Sequence, residues 1–162
     1  MLAHKLGLDD FADQPFKLIA IHCSVEEYKL AFLLNKHLDL RLVRVRKDID
    51  FHFKSVEVLF ALYKFSDELR YCDFYLISNK CQTKSQTMTE IGSLFEEEEM
   101  ISNISFLLPE FQKADFFLKI VDEADSVKEQ VLINKMKEIP QIATAYIIDS
   151  EQIKSKENLI FE

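Results

Sequence analysis

Two acidic residues in the stretch LLPEFQKADFFLKI, residues 107–120, have side chains and spacing that chemistry could use. Glu110 and Asp115 lie five residues apart in an otherwise apolar run. A carboxylate pair of this kind can transfer protons to and from a substrate or hold a divalent cation. The separation of the two groups in space depends on the intervening turn, so the spacing alone leaves this possibility open.

Pro109 supports a structural interpretation of the same two acids. Proline has no N–H for a strand ladder, so we expect the preceding strand to end at Leu108 and residues 109–113 to form one helical turn. Glu110 would then face the positive end of that turn, and Asp115 would accept backbone N–H bonds where the next strand begins. We favour this interpretation and expect both carboxylates to be bound by main-chain amides.

The neighbours His22 and Cys23 are the next candidates for chemistry. Adjacent side chains on a strand point to opposite faces, so these two could not act on the same atom. Cys23 as a nucleophile would need a base from elsewhere, and a small buried side chain is the simpler interpretation. No metal site is expected, because the histidines and cysteines lack the close ligand pairs of a zinc site; they are His4, His22, His37, His52, Cys23, Cys72 and Cys81.

A basic strand over residues 41–47 could bind phosphate or RNA through Arg41, Arg44, Arg46 and Lys47. Two aspartates follow almost at once, and the whole chain carries a formal charge of −8. A solvated strand face with local ion pairs is therefore the favoured interpretation, and a nucleic-acid partner is not expected.

The composition limits the remaining possibilities. The chain has 162 residues, 48% hydrophobic and 30% charged, which is typical of a soluble globular domain. Its two glycines are too few for a dinucleotide fingerprint or a phosphate-binding loop, so no cofactor is expected. No secretory signal or membrane span is expected, and the three cysteines form no disulfide framework. We therefore expect a cytoplasmic protein.

The pattern of apolar residues predicts a single α+β domain over residues 16–162, preceded by a lead-in segment, 1–15. Its sheet should be twisted, mixed and mostly antiparallel, with two main helices packed on one face. The first helix should be capped by Ser24 with Glu27 three residues later, and residues 79–100 should be loop. The predicted strands are 16–24, one around 42–46, a hairpin of 58–65 with 70–78, a segment near 101–108, 114–122 and 142–149; the predicted helices are 25–38 and 124–138.

The segment LPEFQKADF, residues 108–116, resembles the signature of the IPExxxVDY family, a small family of bacterial proteins. Pro109, Glu110 and Asp115 stand at its three most distinctive positions, whereas Leu108, Ala114 and Phe116 replace isoleucine, valine and tyrosine. The segments YKLAFLLNKHL, YLISNK and KSKENLIFE are also similar to the family. The resemblance implies a bacterial source and supplies no activity. The missing tyrosine hydroxyl at position 116 argues that this hydroxyl is not catalytic.

These observations favour a non-catalytic macromolecular-interaction module whose partner is a protein, with homo-oligomers possible and no membrane partner. Such a module should expose apolar and aromatic groups on a sheet face or edge. The possible surface contacts are Asn79, Lys80, Arg44 and Arg46. Two alternatives stay open: a small enzyme that uses the Glu110/Asp115 pair, with Asn79, Lys80 or His22 around a pocket, and an RNA-binding protein that uses the basic strand 41–47.

Overall fold

The computed structural model describes residues 14–46, 49–53, 56–85 and 101–161. Most of the predicted lead-in segment, Lys47 and the acidic run 96–99 lie outside these residues. The described chain forms strands, two α-helices and three short 3-10 turns. The strands are β1 (Lys17–Cys23), β2 (Val43–Arg44), β3 (Ile49–Phe53), β4 (Val56–Phe60), β5 (Leu62–Asp67), β6 (Cys72–Ser78), β7 (Lys80–Ser85), β8 (Ile101–Phe106), β9 (Phe116–Asp122) and β10 (Ile142–Ile148); the helices are α1 (Glu27–Leu38) and α2 (Glu129–Lys137).

Six of these strands form the main sheet, in the order β10-β1-β9-β6-β5-β2. Every neighbouring pair in it is antiparallel. Leu118 on β9 lies opposite Ile19 on β1 and Leu76 on β6, so the middle of the sheet is apolar. Two smaller antiparallel sheets pair β3 with β4 and β7 with β8. The predicted hairpin is present as β5 and β6, but its turn is 68–71, and residues 58–60 of the predicted first strand belong instead to β4 in a separate sheet.

Both helices pack on one face of the main sheet. Leu30, Leu34 and Leu38 of α1 are buried at the spacing of three to four residues that places side chains on one helix face. They share an apolar cluster with Met136 of α2 and with sheet residues such as Ile19. The predicted fold class is confirmed: one α+β domain with a mostly antiparallel sheet and two helices on the same face. None of the described helices could cross a membrane, because none is long and apolar enough.

The predicted capping box is wrong. Helix α1 begins at Glu27, its N-cap is Glu26, and no side chain caps it. Val25 packs against the core just before the helix, so the chain turns inward between Ser24 and the first helical residue. The carboxylate of Glu27 instead lies 4.0 Å from the guanidinium of Arg44.

Helix α2 begins five residues later than predicted, because Asp122 organises the loop before it. Its carboxylate accepts the N–H of Val127 at 2.6 Å, the hydroxyl of Ser126 at 3.2 Å and the ammonium of Lys17 at 3.3 Å. Burial raises the pKa of Asp122, but these donors together outweigh it, so the net pKa of Asp122 is lowered. A charged, bonded carboxylate therefore fixes residues 123–128 outside the helix.

The opposite face of the sheet is covered by irregular chain. Leu18, Phe117 and Ile77 form a second apolar cluster there. The segment 107–114 and the C-terminal segment 150–161 lie over it, with Leu107, Leu159 and Ile153 buried. The three 3-10 turns, Pro109–Phe111, Ser150–Gln152 and Lys156–Leu159, all belong to these covering segments.

Two strand predictions require correction. Residues 80–85 are not loop but form β7, because their backbone pairs with β8. Within its described residues, 41–46, the predicted basic strand is reduced to two residues of strand, and Val43 is 67% exposed. Leu42 is buried and Val45 packs half-buried against the second apolar cluster, so the exposed Val43 is the residue that departs from a half-buried strand with a basic outer side.

Candidate functional site

Asn79 lies at the centre of the motif region and is completely buried. Its side-chain Nδ2 donates to the carbonyl oxygens of Phe111 at 2.9 Å and Ala114 at 2.8 Å, and its Oδ1 accepts the N–H of Leu108 at 2.9 Å. Its backbone N–H donates to the carbonyl of Asp115 at 2.9 Å. Asn79 therefore closes the turn that begins at Pro109, and its burial corrects the prediction that it contacts a partner at the surface.

The carboxylate of Glu110 binds the C-terminal segment. Oε1 accepts the N–H groups of Lys154 at 2.8 Å and Ser155 at 2.9 Å, and Oε2 accepts the Ser155 hydroxyl at 3.2 Å. Burial raises the pKa of Glu110, but these bonds outweigh it and lower the net pKa of Glu110 below its usual value. The sequence placed Glu110 against its own turn; its own backbone N–H does contribute to the lowered pKa, and the structure adds main-chain amides 44 and 45 residues away.

The carboxylate of Asp115 binds β1 and β7. Its Oδ2 accepts the N–H of Cys23 at 2.9 Å, and its Oδ1 accepts the ammonium of Lys80 at 2.7 Å. Its own N–H donates to the carbonyl of Ile21 at 3.0 Å. The expectation that both motif carboxylates accept main-chain N–H groups is confirmed. The two acids have different partners, so the structure does not bring them together as a pair.

The other predicted residues are placed as follows. His22 lies on β1 with its Nε2 3.1 Å from the hydroxyl of Tyr146. Burial raises the pKa of the Cys23 thiol, which opposes formation of a nucleophilic thiolate. Arg44 contacts the ring of Tyr63 at 5.6 Å, while Arg41 and Arg46 are exposed. Within the described ranges, no three histidine, cysteine or acidic side chains are grouped to hold a metal ion.

A pocket of about 100 Å³ lies elsewhere, on the sheet face that the C-terminal segment covers. Lys119 of β9 projects into it, and its Nζ donates to the carbonyl of Leu159 at 2.6 Å. Three aromatic rings surround this ammonium group: Phe16 and Phe161 at 5.1 Å and Tyr75 at 5.7 Å from ring centroid to Nζ. None of the motif residues lines this pocket.

The pocket changes the acidity of Lys119. Burial lowers its pKa to about 8, because a desolvated ammonium is costly. Among the described residues no carboxylate forms an ion pair with it. A substantial fraction of the amine is therefore neutral near pH 8.

Sequence reasoning missed Lys119. The run FFLKIVD is typical of a buried strand. The single lysine among its apolar residues is the signal that could have indicated a site there. Even so, the aromatic surroundings come from segments distant in sequence, around Phe16, Tyr75 and Phe161.

We expect Asn79→Ala to lower the free energy of unfolding by about 3 kcal/mol, because it leaves the buried N–H of Leu108 and the carbonyl of Ala114 without the amide that binds them and removes one of the two donors to the carbonyl of Phe111. Asn158→Ala is the matched control: its half-buried amide makes one bond, to the carbonyl of Leu107 at 2.8 Å, so we expect a loss of about 1 kcal/mol. Urea unfolding curves measure both losses. Equal losses in the two variants would show that Asn79 has no special role.

We expect Glu110→Gln to lower the free energy of unfolding by about 1 kcal/mol at pH 7, since the bonded carboxylate is partly screened by solvent. The pKa of Glu110 is lowered in the folded state, so its contribution is complete above the unfolded pKa of about 4.3 and is lost as the pH falls through the folded pKa. The difference between wild type and variant should therefore shrink in acid. Glu157→Gln, on the exposed side of the same C-terminal segment, should have no such effect. A Glu110→Gln difference that is independent of pH would contradict the bonding described.

We expect the free energy of unfolding of the wild type to rise by about 2 kcal/mol between about pH 8 and pH 10.4, relative to Lys119→Met. In this window the unfolded lysine is protonated and the folded one is not, so raising the pH favours folding. Unfolding curves at several pH values measure the difference. The control Lys64→Met replaces an exposed lysine on β5, so its free energy of unfolding should change with pH as that of the wild type does. If the free energy of unfolding changed with pH equally in the wild type and in Lys119→Met, the buried ammonium would be refuted.

Comparison of this chain with protein-family models, with curated proteins and with solved structures finds no match. The resemblance of LPEFQKADF to the IPExxxVDY signature therefore stays a prediction.

Proposed function

We propose that this protein is a non-catalytic, cytoplasmic interaction module that binds a protein partner by adding one strand of the partner to β10. The observation that supports this most is the composition of β10. It lies at the end of the main sheet and, among the described strands, pairs only with β1. Its seven residues, IATAYII, include no charged residue, no proline and no glycine. An uncharged edge of this length can accept another strand through its backbone N–H and C=O groups.

The other edge of the main sheet provides a contrast. Strand β2 is only two residues long, and one of the two is Arg44. Short strands and charged side chains are common means of blocking unwanted pairing. Because β2 has both features and β10 has neither, β10 is the edge suited to a partner.

Side chains on both sides of β10 can contact the incoming strand. Ile147 lies opposite Ile19, on the helix-covered face, and is 47% exposed. Tyr146 lies opposite Ala20, on the other face, and is 38% exposed. These are the exposed apolar and aromatic groups that the interaction hypothesis requires.

Charge favours a partner of different sequence over a second copy. Each chain carries a formal charge of −8, so two copies repel each other. Glu138, Asp149 and Glu151 lie just beyond the ends of β10. The partner segment is therefore extended, with apolar residues at alternate positions and basic residues at its flanks.

The thiols of Cys23 and Cys72 support the cytoplasmic location, because thiols stay reduced there. We also propose membership of the bacterial IPExxxVDY family, on the strength of Pro109, Glu110 and Asp115. No observation favours the enzyme alternative, since Glu110 and Asp115 are bound to different main-chain segments. The RNA alternative is not favoured either, since the basic strand is short and Arg44 lies beside Glu27.

Photo-crosslinking from β10 tests the proposal. We expect a benzoylphenylalanine in place of Tyr146 to form an adduct with one other protein in cells that express the chain naturally. The double substitution Ala143→Lys and Ile147→Lys introduces charges at two exposed edge positions, and we expect it to reduce the adduct by about tenfold or more. The control substitution Val43→Lys, at the opposite edge, should leave the adduct unchanged.

Three results would count against the proposal. An adduct between two copies of this chain would show that β10 binds a second copy and not a partner of different sequence. An adduct that survives the two lysine substitutions would show that the edge of β10 is not the binding surface. The absence of any adduct from Tyr146, under conditions where other exposed positions crosslink, would show that β10 has no partner.

A further inference from the structure

The pocket around Lys119 has features that strand addition at β10 does not use. The amine lies on β9, and its ring neighbour Tyr75 is directly opposite it on β6. The pocket is open to solvent on one side and holds a volume of about 100 Å³, enough for a small organic molecule. Its lining combines the amine with aromatic rings, with the aliphatic side chains of Val121 and Ile160, and with polar and acidic side chains.

We propose that this pocket is a covalent binding site for a small uncharged aldehyde or ketone, which the amine of Lys119 captures as an imine. The geometry that supports this is the amine itself. It lines a cavity, lies between aromatic rings, and forms no ion pair with a carboxylate of the described residues. A lysine in apolar surroundings is the usual nucleophile toward carbonyl carbon.

The reaction is balanced without any other reagent. The neutral Nζ attacks the carbonyl carbon, and one proton moves from nitrogen to the former carbonyl oxygen to give a carbinolamine. Loss of water then forms the carbon–nitrogen double bond, so the products are one imine and one water. No group is oxidised or reduced, and hydrolysis reverses the reaction.

The surroundings of Lys119 suit the protonated imine better than the ammonium. The charge of an iminium is spread over carbon and nitrogen, so its removal from water costs less than that of a compact ammonium. The three aromatic rings can face this cation, and the carbonyl of Leu159 can accept its N–H. The pocket therefore favours the product of the reaction.

Charges at the pocket select the class of carbonyl compound. Asp73 of β6 and Glu123, which follows β9, both line the pocket. They repel an anionic carbonyl such as a 2-oxo acid, so an uncharged ligand is preferred. The other titratable groups that face Lys119 are the phenols of Tyr75 and Tyr71, and Lys64 of β5 lies 5.2 Å from the Tyr75 ring on its other side.

Reductive trapping tests the inference. The full chain is incubated with benzaldehyde and sodium cyanoborohydride, and the modified lysines are located by peptide mass spectrometry. Near pH 8 an amine with a pKa of about 8 has about a hundredfold larger neutral fraction than an ordinary exposed lysine, and its weaker intrinsic nucleophilicity removes about tenfold of this. We therefore expect Lys119 to be modified about tenfold faster than Lys64, which touches the same Tyr75 ring but is exposed.

Matched variants and a second probe separate the possible outcomes. Lys119→Met should lose the fast modification and Lys64→Met should keep it, while both unfold cooperatively. The anionic probe 4-carboxybenzaldehyde should react more slowly at Lys119 than benzaldehyde does, and Asp73→Asn with Glu123→Gln should narrow that difference. Modification of Lys119 no faster than that of Lys64 would overturn the inference. A preference of Lys119 for the anionic probe would overturn the assignment to uncharged ligands.

Discussion

The buried amide of Asn79 is the constraint on which the irregular half of this structure depends. A buried amide without partners is costly, so the chain around it must supply two acceptors and one donor at fixed positions. The carbonyls of Phe111 and Ala114 and the N–H of Leu108 meet that need only when residues 108–114 fold as the observed turn. Pro109 fits the first position of this turn because its missing N–H leaves nothing unsatisfied there.

The turn also determines where the C-terminal covering segment lies. The turn directs Glu110 outward, where its carboxylate holds the amides of Lys154 and Ser155. The C-terminal segment held in this way brings Phe161 and the carbonyl of Leu159 over Lys119. A polar residue at the end of β6 is thus connected, through two sets of hydrogen bonds, to an unusually acidic lysine in a separate pocket. The helix-covered face depends on apolar packing instead, which tolerates substitution of similar volume better than a bonded network does.

Local patterns predicted the regular parts of the fold. The apolar pattern over residues 25–38 predicted helix α1, and the polar residues around Asp67 predicted the β5–β6 hairpin. Strand β7 could not be predicted in this way. Its residues KCQTKS are mostly polar, and its pairing is a backbone interaction with β8, which lies some twenty residues further along the chain. Single-sequence periodicity carries no information about a partner of that kind.

In the candidate sites too, local sequence predicted some features, while others depend on residues distant in the chain. Proline chemistry and the two flanking acids were sufficient to predict that main-chain amides would bind Glu110 and Asp115. Their actual partners, Lys154, Ser155 and Cys23, are distant in sequence and were not predictable. Asparagine is usually exposed, so the burial of Asn79 depends on carbonyls about thirty residues away.

The most direct test of the structural role of the motif acids is backbone amide hydrogen exchange, followed by NMR in the wild-type protein. If Glu110 and Asp115 hold the backbone as described, the amides of Cys23, Lys154 and Ser155 will exchange much more slowly than in an unstructured peptide. Exchange of the Lys154 and Ser155 amides at the rate of an unstructured peptide would contradict the account, because it would leave the carboxylate of Glu110 without the partners that define its role.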